Sequence, residues 1–283
     1  MKSTAKMTPT RTANQSNNSY SGDMPFWEHL DALRKVIFQA LLLLVAVGGC
    51  CFAAMPWLMD NLILAPCSSD FILYRWLASA GREFMPEFAI SPFEVHLVNL
   101  NLSTQFFLHF SLSLWLAVVL SFPGLLYLLW TFVEPALLPK EKRGARTAYM
   151  LGTAMFYVGV AVGYLLVFPL TLRFLATYNL STAVTNTLSL DSYMDNFLTL
   201  ILTMGIIFEL PLVAWILGRL GIINRSLFAR FRRHAVVILL ILAAVVTPTG
   251  DPFTLMVVFL PVYMLWELSA LIVPKATLSP EQT

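Results

Sequence analysis

Four stretches of this sequence, 36–57, 106–132, 147–172 and 197–217, each run for more than 20 residues, and Glu209 is the only Asp, Glu, Lys or Arg among them. A straight helix needs about 20 apolar residues to cross the hydrocarbon of a bilayer, where every backbone polar group must be satisfied inside the segment. Such a chain is restricted to helices that span a membrane. With 58% hydrophobic and only 12% charged residues, it has too little polar surface to cover a soluble globule of 283 residues.

A fifth apolar stretch, 235–273, is broken by the turn residues Thr247-Pro248-Thr249-Gly250-Asp251-Pro252. It reads as two short helices. Residues 235–246 rise only roughly 18 Å against a core of ~30 Å, so this hairpin is expected to thin the bilayer locally. The expected fold is an all-α integral membrane protein of six transmembrane helices, over about 36–57, 104–132, 147–172, 195–217, 233–248 and 252–273, with helices five and six short.

Charge sets the orientation. Lys2, Lys6, Arg11, Arg34, Lys35, Lys140, Lys142, Arg143, Arg146, Arg219, Arg225, Arg230, Arg232, Arg233 and Lys275 fall on one side of this topology, leaving only Arg75, Arg82 and Arg173 of the 18 cations on the other. Lysine and arginine accumulate in cytoplasmic loops, so both termini are expected in the cytoplasm. Residues 1–23, polar and without apolar periodicity, are expected to form a disordered cytoplasmic tail, 24–273 the membrane domain and 274–283 a second cytoplasmic tail. The polar lead and the later passes mark the first span as an uncleaved anchor. In the outer segment 60–101, Phe71, Leu73, Tyr74, Trp76 and Leu77 suggest short interfacial helices.

The sequence has no H-E-x-x-H, G-x-S-x-G or G-x-x-x-x-G-K-[ST], so neither bond chemistry nor nucleotide hydrolysis is expected, and no cofactor. Work on a partner would draw on another source, such as the membrane potential. His29, His96, His109 and His234 lack metal-ligand spacing, and Cys50, Cys51 and Cys67 suggest no site, so no metal is expected. A nucleic-acid partner is not expected either.

Three constellations remain. In Phe26-Trp27-Glu28-His29-Leu30-Asp31-Ala32-Leu33-Arg34-Lys35, Phe26, Leu30, Leu33 and Ile37 form one apolar stripe flanked by Glu28, Asp31 and Arg34, which by itself describes an interfacial helix leading into a span. Between two spans, Glu141 lies among Lys140, Lys142, Arg143 and Arg146, which by itself describes a solvated charge run. A carboxylate there suits a guanidinium, which it binds bidentately, and two acids from different inner segments can hold two successive arginines.

Third, Phe208-Glu209-Leu210-Pro211 places an ionisable group inside a span, next to a proline that leaves the Ile207 carbonyl without its helical donor. Such acids mark function. Asp251, at the outer turn, reads as a turn residue, and Glu267, near the inner end of the last helix, as a snorkelling charge.

In this order and topology the segments resemble the TatC family, the core membrane subunit of the twin-arginine protein translocase. The resemblance covers about residues 24–273. His29-Leu30-Asp31-Ala32-Leu33-Arg34 is similar to the family's H-L-x-E-L-R opening, and Phe132-Val133-Glu134-Pro135-Ala136-Leu137 with Glu141-Lys142-Arg143 to its first cytoplasmic loop. Phe208-Glu209-Leu210-Pro211, Thr247-Pro248 with Asp251, and Pro261-Val262-Tyr263 with Glu267 follow in the family's order.

The resemblance implies a cupped, glove-like bundle in the cytoplasmic (inner) membrane of a prokaryote. It also implies binding of twin-arginine signal peptides on folded cargo, small single-span TatA-like and TatB-like partners, contact with membrane lipids, self-association, and export driven by the proton-motive force. Glu141, flanked by Lys140 and Arg143, is implied at the signal peptide. Glu209, with Pro211, Asp251 and Glu267, is implied as the intramembrane polar and partner interface.

The sequence departs from the pattern where the opening glutamate falls on Ala32. Glu28, four residues earlier, shares that helical face, whereas Asp31 is turned from it by about 100°. Glu28 is expected to substitute, with Asp31 second. The competing readings are a secondary transporter moving a small cation or proton past Glu209, and a passive membrane scaffold.

Overall fold

The computed structural model describes residues 26–80, 94–133, 145–181, 186–219 and 221–273. The expected terminal tails lie outside these residues. Helix α1 (Phe26–Leu58) joins the amphipathic opening and the first span into one rod of 33 residues, about 50 Å long at 1.5 Å per residue. A wide π-turn (Met59–Ile63) ends it, and α2 (Ile72–Ala80) follows in the outer segment where short helices were expected. Helix α3 (Thr104–Val133) is the second span.

The third span is α4 (Ala145–Val162) and α5 (Phe168–Thr177), joined by a π-turn at Gly163–Val167. The wide turn precedes Pro169, whose missing amide hydrogen and ring bulk disturb the α-ladder there. The fourth span is likewise two pieces, α6 (Leu190–Ile207) and α7 (Leu210–Arg219).

Helix α8 (Arg225–Val246) starts at an Asn224 cap, whose side chain accepts the Leu227 amide at 3.1 Å, and α9 (Pro252–Ile272) starts at an Asp251 cap. Five helical stretches of the described residues are long and apolar enough to cross a membrane, and α8 is not among them. Its first ten residues carry Arg225, Arg230, Arg232, Arg233 and His234, so only its second half is suited to hydrocarbon. The sixth helix, in contrast, is not short. Its 21 residues rise about 31 Å, matching the core, because the apolar run continues unbroken through Pro261.

The centre of the molecule is the crossing of α4 and α5 with α6, which buries Phe156, Val167, Phe168, Tyr193, Met194, Leu200 and Met204 almost completely. Glycines set its closeness. A Cβ on Gly159 would stand 2.5 Å from the Met204 carbonyl oxygen, one on Gly163 3.0 Å from the Ile201 Cα, and one on Gly205 2.9 Å from the Phe156 ring. Between helices in lipid, such small residues bring backbones into van der Waals contact where no hydrophobic drive exists.

To one side α3 packs on this centre and α1 rests on α3; to the other α9 packs on α5 and α7, and α8 rests on α9. The helices thus form an open row. Its two end helices expose apolar side chains, Phe38, Leu42 and Val45 on α1 and Val237, Ile241 and Val245 on α8.

Long-range hydrogen bonds tie together the side that carries α2. Tyr164 donates to the Leu62 carbonyl at 2.8 Å, Tyr193 to the Ile63 carbonyl, and Tyr74 of α2 to the Pro169 carbonyl at 2.9 Å. Two short strands, Leu97–Val98 and Leu188–Ser189, pair in parallel, Leu97 opposite Leu188 and Val98 opposite Ser189, and join the segments that precede α3 and α6.

Candidate functional site

Glu209 lies in the break between α6 and α7. Two residues on, Pro211 occupies the first turn of α7, where a missing amide hydrogen removes no helical bond. Glu209's own backbone groups are satisfied locally, since its amide donates to the Ile206 carbonyl at 3.0 Å and its carbonyl accepts the Val213 amide at 3.0 Å.

The Glu209 side chain is half-buried in a notch between three spans. A Cβ on Gly152 of α4 would meet Leu212 of α7 at 2.7 Å, Leu126 of α3 at 3.1 Å and Glu209 Oε2 at 3.2 Å. Glycine here lets these three side-chain ends close in on α4. Glu209 Oε1 is buried without a hydrogen-bond partner among the described residues, as is the hydroxyl of neighbouring Thr153. A buried carboxyl oxygen without a donor costs about 1–3 kcal/mol, and more when charged.

Asp251 and Glu267 have partners within the chain. Asp251 caps α9, accepting the Thr254 amide at 2.7 Å and the Thr249 hydroxyl at 2.6 Å. Partial burial pushes its carboxyl up, and the hydrogen bonds from Thr249 and Thr254 outweigh this and hold it below the usual aspartate value. Glu267 accepts from Arg232 Nη2 at 2.7 Å and from the Tyr263 hydroxyl at 3.0 Å, which clasps α9 to α8. Among the described residues no hydrogen bond or ion pair joins Glu209, Asp251 and Glu267.

On α1 the backbone carries Glu28 and Ala32 one helical turn apart, and Asp31 is exposed. Lys140, Glu141 and Arg143 lie outside the described residues. The sequence reading missed Gly152, Thr153 and the Arg232 clasp. The seven-residue spacing of Gly152 and Gly159 and the four-residue spacing of Gly159 and Gly163 were the available signal for a close helix crossing.

Residues 28–261 match the family described as Sec-independent protein translocase protein (TatC). The Sec-independent protein translocase protein TatC of Blattabacterium sp. subsp. Periplaneta americana is 31% identical over 87% of this chain and 94% of its own length. That of Deinococcus radiodurans is 32% identical over 88% and 85%. A crystal structure of the twin arginine translocase receptor TatC in DDM superposes with a TM-score of 0.69 at 26% identity, over 87% of this chain and 99% of that one. With the family model matched over residues 28–261 and these relatives aligned over most of their length, the chain belongs to the TatC family.

Proposed function

We propose that this protein is the signal-peptide receptor of a twin-arginine translocase, a multi-pass protein of a prokaryotic inner membrane with both termini in the cytoplasm. The observation that carries this reading is the family match over residues 28–261, which includes the acidic opening helix, the inner loop with Glu141, and Glu209. Glu141 and Glu28 each take one guanidinium of the arginine pair, with Asp31 second to Glu28. Two planar, bidentate pairs distinguish arginine from lysine, which offers only a point charge. Lys140 and Arg143, beside Glu141 in the sequence, keep this loop at the cytoplasmic surface.

In the same reading Glu209 accepts a hydrogen bond from a polar side chain on a single-span TatA-like or TatB-like helix, or on the signal helix, entering the Gly152 notch. Its Oε1, buried and unsatisfied, supports this role. Transport of cargo then draws on the proton-motive force. A secondary transporter working through Glu209 is not favoured, since the relatives are named as protein translocases.

The test is photocrosslinking from positions beside Glu141 to a signal peptide bearing paired arginine or paired lysine. Labelling is expected with arginine and largely lost with lysine, and Glu28→Gln should reduce it more than Asp31→Asn. Equal labelling by both peptides would leave only generic charge attraction.

A further inference from the structure

The first half of α8 carries a second constellation, which the signal-peptide reading does not use. A cavity of about 420 Å³ lies against it, lined by Leu227, Phe231, His234, Ile238 and Leu239 of α8 and by Trp266 of α9. Residues 227, 231, 234 and 238 recur every three or four positions, so one helical face floors this groove from the arginine-rich half of α8 into its apolar half.

Arg230, Arg233 and His234 stand at i, i+3 and i+4, exposed, along one flank of that face. Arg232 lies on the other flank and is held by Glu267. Among the described residues neither Arg230 nor Arg233 has an ion-pair partner. The groove is thus lined by His234 and apolar side chains, with the exposed, unpaired Arg230 and Arg233 beside it on the same helix.

We propose that this groove is a binding site for one anionic phospholipid of the leaflet on the arginine-rich side, its phosphate on Arg230, Arg233 and His234 and one acyl chain along Ile238 and Leu239. The argument is charge complementarity combined with depth. A free phosphate satisfies the arginines and leaves the groove unused, and a zwitterionic lipid fills the groove and gains little from the arginines. A juxtamembrane cation is worth about 1 kcal/mol toward an anionic headgroup, so the pair of arginines corresponds to a roughly 30-fold preference. The bound chain also covers the flank of a helix whose apolar half rises only roughly 18 Å against a ~30 Å core, softening the mismatch there. This site stands independently of the signal-peptide reading.

The experiment is native mass spectrometry of the purified full chain, washed of endogenous lipid and offered equal phosphatidylglycerol and phosphatidylcholine. Wild type is expected to retain phosphatidylglycerol selectively. The double variant Arg230→Ala with Arg233→Ala should lose that selectivity roughly 30-fold, the double Lys variant should keep most of it, and Ile238→Trp, which fills the groove, should lower retention of both lipids. Thermal unfolding in detergent verifies that each variant is folded. Equal selectivity in wild type and a folded double Ala variant would overturn the site. Displacement of phosphatidylglycerol by millimolar glycerol phosphate would overturn the acyl-chain half and leave a phosphate site only. Binding of an acidic peptide with no lipid selectivity would overturn the proposal in favour of a protein partner.

Discussion

Glu209 Oε1, buried without a donor among the described residues, costs stability in the chain by itself, and in the proposed reading a partner's donor offsets that cost. Glu209→Leu removes the unsatisfied carboxyl, so the purified variant is expected to unfold in detergent at or above the wild-type temperature, with a gain of about 1–2 kcal/mol. Export of twin-arginine cargo should fall at least tenfold in the same variant. Glu209→Gln, which still accepts a hydrogen bond, should retain more export than Glu209→Leu. Parallel loss of stability and export in Glu209→Leu would make the residue structural. That this acid stands alone in the spans was legible from one charge inside four apolar runs. That its oxygen lies over Gly152 was not, because the two residues are far apart in sequence and no local pattern connects them.

Among the elements, the α4–α6 crossing tolerates least. Gly159→Ala drives a methyl against the Met204 carbonyl, which is backbone and cannot swing away, so a loss of about 1–3 kcal/mol is expected in thermal unfolding. Gly49→Ala, with nothing within 4 Å, should be neutral.

The start of α9 depends on the Asp251 cap. Asp251→Ala should cost about 1 kcal/mol, and Asp251→Asn, which still accepts the Thr254 amide, much less. Because the folded carboxyl titrates below its unfolded value, its stabilisation is complete above the unfolded value of about 3.9 and is lost as pH falls through the folded one. The wild-type advantage over Asp251→Ala should therefore shrink only below about pH 4. The turn at Asp251 was readable in Thr247-Pro248-Thr249-Gly250-Asp251-Pro252, though not its capping of α9, and Arg232 as the partner of Glu267 joins positions 35 apart and was not readable either.

Across the whole molecule, hydrophobic length foretold the passes because crossing a bilayer is a local requirement, met within each segment. The arrangement of the passes is not local. The parallel strand pair joins positions 97–98 to 188–189, and two-residue strands leave no period to detect. Paired strands lie about 4.8 Å apart, within disulfide reach. Leu97→Cys with Leu188→Cys, in a chain with Cys50, Cys51 and Cys67 replaced by serine, should oxidise to an intramolecular crosslink seen by gel mobility, while Leu100→Cys with Leu188→Cys should not.

The open row of helices also governs how copies of the chain can meet. The bare surface of α1 and that of α8 differ in length and in charge, so contact between them cannot be isologous. Copies joined through these two surfaces assemble head to tail, and closure into a ring requires the angle between the surfaces to be a whole fraction of a full turn. Stoichiometry in such an assembly is a property of the tilt of α1 on α3 and of α8 on α9.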